Sequence, residues 1–503
     1  MKYGYSLLER DSERKYILWW FVRGLGVISF LAFYDFHSQW PGLIGNRGIL
    51  PVVPGLEKLF EQQGWGAFWD FPTLVLLYPD KITIELLCWL GMGTSVLLVV
   101  GVIPRLMCLL NWGMYLSLVV AGQKFYQYQW DTLLIETLFV SVFVVPAVWW
   151  YRRSSSPTRL GTFLLQFILA KLYFLAGFVK IGARDPAWWG GTALNYHFWT
   201  QPLPNPVSWF VHYLPETILM IGSYGALAVE LIAPFLLFGP GKIRRVGIGL
   251  IAGLQISILL TGNYGLFNLL TLLLVFVALK DSELPRWMCF SNIGLYSDWL
   301  PEKPLAYIDL TVLFFLFGLN FLVVVEWFPV MNVSVVKRVS RKLQVFRTVN
   351  RYGLFGTMTK KRPEIVIQGS RDGQTWKTYR FRYKPTAVDR PPPVTGPHLP
   401  RLDWQMWFVG VNLPKRPTWF NRFIKQLLKG SKPVQTLLAD VPFEERPPKY
   451  VRAEIYHYRF TGWKQGWKTG NWWERELKYR LFGPVTLEEG KLRRKDSTDL
   501  GTQ

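Results

Sequence analysis

Up to about residue 330 the chain is a series of long apolar runs, and this constrains the fold more than any motif does. The runs are Tyr16–Tyr34, Thr83–Ile103, Leu106–Gly122, Thr132–Trp150, Leu160–Ile181, Thr217–Phe238, Val246–Thr261, Tyr264–Leu279 and Tyr307–Trp327. Most reach the roughly 20 residues that a helix needs to cross a bilayer core. In hydrocarbon a backbone must satisfy its own hydrogen bonds, so such runs read as spanning helices. Three of them, the third, seventh and eighth, are short. After residue 330 charge and proline take over and no run recurs. The expected architecture is therefore a polytopic α-helical membrane domain of about nine spans (1–330). A soluble domain (331–487) and a disordered basic tail (488–503) follow it. The first run follows a charged start, MKYGYSLLERDSERK, and is too long for a cleaved signal, so it reads as a signal-anchor helix.

Charge is distributed as unevenly as hydrophobicity. From Val335 onward there are 35 Lys+Arg against 14 Asp+Glu, a net +21; the remainder has 22 against 20, a net +2. With the N-terminus inside, the inner segments hold Lys2, Arg10, Arg14, Lys15, Arg105, Arg152, Arg153, Arg159, Lys242, Arg244, Arg245, Lys280, Arg286 and Lys303. The outer loops hold only Arg47, Lys58, Lys81, Lys124 and Arg184. This positive-inside bias puts the soluble domain on the non-cytoplasmic side. The cluster Lys337, Arg338, Arg341 and Lys342 opposes it, but long domains translocate regardless of charge. On that side the expected partners are anionic lipid headgroups or acidic clients rather than nucleic acid; a solvated basic surface is the plain alternative. The three cysteines, Cys88, Cys108 and Cys289, all precede the soluble domain, which therefore has no disulfide framework.

The soluble part changes to β patterning. PEIVIQGSRDGQTWKTYRFRY holds two strand-like runs around Arg371-Asp372-Gly373, with Tyr379, Phe381 and Tyr383 alternating with polar residues. AEIYHYRF repeats the device with Tyr456, Tyr458 and Phe460. In PTWFNRFIKQLLKG, Trp419, Phe420, Phe423, Ile424, Leu427 and Leu428 recur at helical spacing. A small α+β or β-sandwich-like module is expected.

Ionisable residues within spans are the first candidates for function. They are Arg23, Glu136, Lys171 and Glu230, with Lys180 near the outer end of its run. Lys171 either pairs internally, with Glu136 or Glu230, or has a lowered pKa and acts as a base. Lys180 can instead snorkel to the interface. His37, His197, His212, His398 and His457 form no metal-ligand spacing. No GxSxG or phosphate-loop pattern occurs, so no metal or cofactor is expected. Between two runs lies NYHFWTQPLPNPVSWF (Asn195–Phe210). Its Pro202, Pro204 and Pro206 rule out a continuous helix, and it reads as a rigid aromatic outer loop.

Four stretches together resemble the lipase maturation factor family. They are PGLIGNRGILP (41–51), WWGGTALNYHFWTQPLPNPVSWF (188–210), RYGLFGTMTKKRPEIVIQGSRDGQTWKTYRFRYKP (351–385) and GPHLPRLDWQMWF (396–408). The resemblance implies a non-enzymatic, chaperone-like multi-pass protein of the endoplasmic reticulum membrane with a lumenal C-terminal domain, serving secreted lipases. A prokaryotic member would occupy the cytoplasmic membrane. Asn195, Tyr196, His197, Trp199, Gln201, Pro202, Pro204, Trp209, Arg401, Asp403, Trp404 and Trp407 are then expected to contact clients or the other domain. The helix QFILAKLYFLAGFVKIGARDPAWWGG is also similar to one in vitamin K-dependent carboxylase-type membrane proteins. That match puts Lys180 at a catalytic-base position, with Val179 where that family has a lysine. It implies an alternative reading: a membrane enzyme or a lipid or solute conduit using Lys180 and Lys171, with His197, Glu136 and Glu230.

Overall fold

The apolar runs fold into a helical bundle. Its helices are α1 (Lys15–Leu43), α2 (Lys81–Val100), α3 (Pro104–Ala121), α4 (Gln129–Val144), α5 (Arg159–Gly182), α6 (Glu216–Leu236), α7 (Gly241–Thr261), α8 (Leu266–Val277) and α9 (Lys303–Val325). The computed structural model describes residues 9–151, 156–289, 303–326, 344–413 and 416–495. Local sequence fixes several helix starts. Asp80 caps α2, Thr158 caps α5 by accepting from the Gly161 N–H, and Pro104 opens α3.

Among the described residues seven helices are long and apolar enough to cross a membrane, so the expected count of nine is not confirmed. The two that fall short are α4, with 16 residues, and α8, with 12. At 1.5 Å per residue they extend about 24 and 18 Å, less than the roughly 30 Å hydrocarbon core. Both are packed inside the bundle, and α4 carries the buried Asp131 and Glu136. The run over Thr132–Trp150 looked longer because apolar residues continue past Val144, where Pro146 follows the helix end.

The bundle has two distinct ends. At one, the Arg14 guanidinium donates to the Leu279 carbonyl, Arg244 pairs with Glu283, Lys280 with Glu13, and Arg105 with Asp309. At the other, the connections around residues 44–52, 122–128, 183–215 and 262–265 all meet the C-terminal module. The basic cluster Lys337–Lys342 lies outside the described residues.

The C-terminal module is α+β. One six-stranded antiparallel sheet has the order β3-β2-β1-β4-β5-β6. Its strands are β1 (Arg362–Ser370), β2 (Lys377–Phe381), β3 (Leu438–Asp440), β4 (Tyr450–Phe460), β5 (Trp473–Glu488) and β6 (Lys491–Arg494). Helices α10 (Arg401–Val411), α11 (Thr418–Leu428) and α12 (Trp463–Thr469) complete it. The six apolar residues of α11 are buried, Phe423 beside Phe381 and Phe420 beside Phe482 of the sheet and Trp419 beside Phe125 of the bundle. Among the described residues no second sheet faces the first, so the sandwich alternative is set aside: α10 and α11 pack on the sheet instead. The reading of 488–503 as disordered is corrected at its start. Lys491–Arg494 pair with β5 through a tight turn at Glu489 and Gly490, both at positive φ. Residues 496–503 lie outside the described residues.

Candidate functional site

The stretch Asn195–Phe210 is two short helices rather than a loop: Ala193–Thr200 and Pro206–His212. Pro202 and Pro204 occupy the break. Pro206 opens the second helix, and Asn205 caps it in a reciprocal arrangement with Ser208. The break exposes carbonyls that no helix can satisfy, and the C-terminal module together with Asn263 supplies their donors. The buried Arg362 of β1 donates to the carbonyls of Trp199, at 3.0 Å, Gln201, and Pro202, at 2.9 Å. Trp407 Nε1 donates to the Thr200 carbonyl at 2.9 Å. The Asn263 amide bridges the carbonyls of Pro204, at 3.0 Å, and Pro393, at 2.8 Å. In the opposite direction Trp209 donates to the Thr461 carbonyl at 3.2 Å and stacks on Trp463 with ring centroids 5.0 Å apart. Gln201 binds back to the bundle through the Thr261 carbonyl and the Tyr264 hydroxyl. Tyr196 lies under the Lys360 ammonium, and the Asn195 carbonyl accepts from the Trp199 indole.

Arg401 enters the bundle from α10 with a fully buried side chain. It makes two hydrogen bonds to Asp131, of 2.6 and 2.9 Å, and its Nε lies 3.5 Å from Asp35. Its guanidinium also covers the Tyr126 ring at 4.2 Å. Burial works against the Arg401 charge, but Asp131 and Asp35 together outweigh it and hold the pKa above the ordinary value. Asp35 accepts from the Leu399 N–H at 2.9 Å, and Gln39 accepts from the Arg401 N–H at 2.8 Å. Trp404 packs against Trp130 and Tyr264. Asp403 faces the other way, accepting from the N–H groups of Tyr383 and Lys384 at 2.9 Å each. Burial pushes its pKa up to about 6 despite those donors. Asp35 and Asp131 escaped the sequence reading: each lies in a polar flank of an apolar run, where an acid is unremarkable.

The intramembrane charges form two separate pairs. Lys171 Nζ bonds Glu136 at 2.6 Å and the Asn320 amide oxygen. The other Glu136 oxygen accepts from Tyr352, at 2.5 Å, and Asn350, at 3.1 Å, so this cluster also reaches the C-terminal module. Lys180 does not snorkel. It is buried and bonds both oxygens of Glu230, at 2.7 and 2.8 Å, because α6 presents a carboxylate where the lysine would otherwise be unpaired. Val179 instead packs beneath Gly353 and Gly356, and a Cβ on Gly356 would sit 2.4 Å from a Val179 methyl. Arg23 donates to the Trp19 and Tyr151 carbonyls and lies over the Trp19 ring. His197 sits near the Lys180–Glu230 pair, its ring edge-on to Phe355. Burial, then the Lys180 charge, lowers its pKa to about 4, so it is neutral at physiological pH.

Both halves of the chain match known families. Residues 16–286 match the lipase maturation factor transmembrane domain, and residues 348–483 match the lipase maturation factor C-terminal domain. The chain belongs to the lipase maturation factor family. Human lipase maturation factor 2 is 30% identical, covering 94% of this chain and 83% of its own length. The Xenopus laevis protein of that name is 32% identical, covering 93% and 82%. Mouse lipase maturation factor 1 is 30% identical, covering 93% and 87%. No solved structure matches the chain. The contacts described above join the segments covered by the two lipase maturation factor models.

Proposed function

We propose that this chain assists the folding or assembly of secreted proteins, lipases by the names of its relatives, and catalyses no covalent step itself. The agreement of both family models with consecutive parts of the chain carries the reading. Its place is the endoplasmic reticulum membrane, or the cytoplasmic membrane in a prokaryote. The N-terminus is cytoplasmic and the C-terminal module lumenal. The loop charges support this sidedness, and the loops poor in Lys and Arg are the ones that touch the module. On this topology α4 and α8 are the two remaining crossings, making nine.

Asn195–Trp209, Arg401, Asp403, Trp404 and Trp407 serve mainly to hold the module at one angle to the bundle. Client contact then falls on the exposed basic and aromatic surface around α12, with Trp467 beside Lys464 and Lys468. Rigid aromatic side chains offer large contact area at low entropic cost. The alternative reading, an enzyme using Lys180 or Lys171 as a base, is disfavoured by the geometry, since each ammonium already donates to a carboxylate.

The test is co-expression with a secretory lipase in cells lacking their own factor, reading the specific activity of secreted lipase. Restored activity with the intact chain, together with lipase co-isolating with it, supports the proposal. Lipase that stays inactive and does not co-isolate, with the chain correctly inserted, overturns it.

A further inference from the structure

A cavity of about 520 Å³ lies in the helical bundle, with Leu354 and Phe355 of the C-terminal part on one wall. That volume is within the roughly 300–1,000 Å³ of small-molecule sites. Helix α5 forms its back wall with Leu172 and Ala176, and the short helices Ala193–Thr200 and Pro206–His212 close it on one side. Its remaining walls are α6 from Ile218 to Glu230, the last half of α7, and Tyr264 and Phe267, with Leu354 and Phe355 completing the enclosure. These two helices touch closely near their connecting turn, where a Cβ on Gly247 would meet Leu236 at 2.8 Å. The cavity lies between their opposite halves.

Two properties define what can enter. The rim carries Val207, Leu214, Ile218 and Leu260, all apolar and exposed, Ile218 to 50% and Leu260 to 57%. The helices bearing Ile218 and Leu260 are spans of which only 22% and 28% is buried, so they face lipid, and the opening lies between their module-side ends, at the edge of the hydrocarbon. A water-soluble ligand would have to leave water to reach it. The polar groups inside are the Lys180–Glu230 pair, His197, and a Tyr173–Gln255 hydrogen bond of 2.7 Å. The ion pair sums to zero charge. This end can donate and accept hydrogen bonds, but it has no net charge to neutralise a phosphate.

From this geometry we infer that the cavity binds a neutral glyceride, which enters sideways from the bilayer between α6 and α7. One acyl chain fills the apolar chamber, and the uncharged ester or hydroxyl groups meet Lys180, Glu230 and His197. Binding is non-covalent, and the site is independent of the maturation reading.

The test uses the full chain in nanodiscs carrying matched diazirine-acyl probes: diacylglycerol, phosphatidylcholine and phosphatidylglycerol. Diacylglycerol should label cavity residues such as Leu254 and Ile258 most strongly. Ala226→Trp and Ser257→Trp, which fill the chamber from opposite walls, should each abolish that labelling while thermal unfolding stays cooperative. Glu230→Gln leaves the Lys180 charge unbalanced and should shift preference toward phosphatidylglycerol. Labelling confined to lipid-facing residues such as Ile221 and Ile232, or unchanged in both tryptophan variants, overturns the site. Equal labelling by all three probes, or a preference of the unaltered chain for phosphatidylglycerol, overturns the headgroup assignment.

Discussion

Arg401→Ala is the sharpest perturbation of the docked arrangement. It removes a guanidinium with no exposed side-chain surface and leaves two buried carboxylates, Asp131 and Asp35, facing the space it filled. Asp131 would retain one donor, the Tyr115 hydroxyl at 2.7 Å, and Asp35 would retain the Leu399 N–H and His398. Breaking a buried pair by removing one partner costs about 3–5 kcal/mol. At about 1.4 kcal/mol per decade, this shifts the docking equilibrium by roughly two to four powers of ten. The assay is limited trypsin digestion of the full chain in nanodiscs, with thermal unfolding followed by tryptophan fluorescence. The variant should release the C-terminal module to protease well below the temperature at which the bundle unfolds. Asp131→Asn in the same background should recover part of the loss, since neutralising Asp131 removes one stranded charge; interacting pairs of this kind couple by about 0.5–3 kcal/mol. Destabilisation by Arg401→Ala below about 1 kcal/mol, the range of an exposed pair, would refute the reasoning, as would strict additivity with Asp131→Asn.

Three further outcomes follow, two from the same interface and one from within the module. Trp209→Ala removes a buried indole stacked on Trp463 and bonded to Thr461, and should cost about 3–5 kcal/mol of docking in the protease assay. Gly42→Ala places a methyl 2.4 Å from the Pro433 carbonyl, so the module must move; a loss of about 1–3 kcal/mol is expected, read as a lower unfolding temperature. Asp403 holds its proton up to about pH 6 in the folded state, against an ordinary 3.8. Its contribution is therefore present at low pH and lost as pH rises from about 4 to 6, by on the order of 3 kcal/mol. Asp403→Asn keeps an acceptor for both N–H groups and should flatten stability across that window in a pH series of melting temperatures.

The sequence was most readable where a segment has one buried and one exposed face. The six apolar residues of α11 recur at helical spacing and are all buried, and Tyr379 and Phe381 alternate into the core as their period requires. Strand β5 went unread for the complementary reason. From Arg475 to Arg480 both its faces are exposed, Leu477 and Tyr479 included, so no alternation marks it. The site shows the same limit. The Lys171–Glu136 partnership was one of two readings open from the spans. Lys180 with Glu230, 50 residues apart, and Arg401 with Asp131, 270 apart, depend on how helices are arranged, which local pattern does not encode. The prolines did mark a break correctly, but its purpose is visible only with Arg362 placed on the freed carbonyls.

That so much charge is buried between bundle and module needs a reason other than strength. Replacing a buried ion pair by well-packed apolar residues is often neutral or stabilising by about 1–4 kcal/mol, so apolar contact alone could hold the module on. Apolar contact, however, tolerates rotation and sliding, whereas Arg401 satisfies Asp131 only in one register. We therefore expect the triple replacement Arg401→Met, Asp131→Leu, Asp35→Leu to leave melting temperature equal or higher while the module samples several orientations. Spin labels at the exposed Lys58 and Lys468 would read this as a single narrow distance in the unaltered chain and a broad distribution in the variant. A distance that stays narrow would mean that shape complementarity around Trp209 and Trp407 sets the register without the ionic contacts. The buried charges would then have to be explained by the bundle's own assembly.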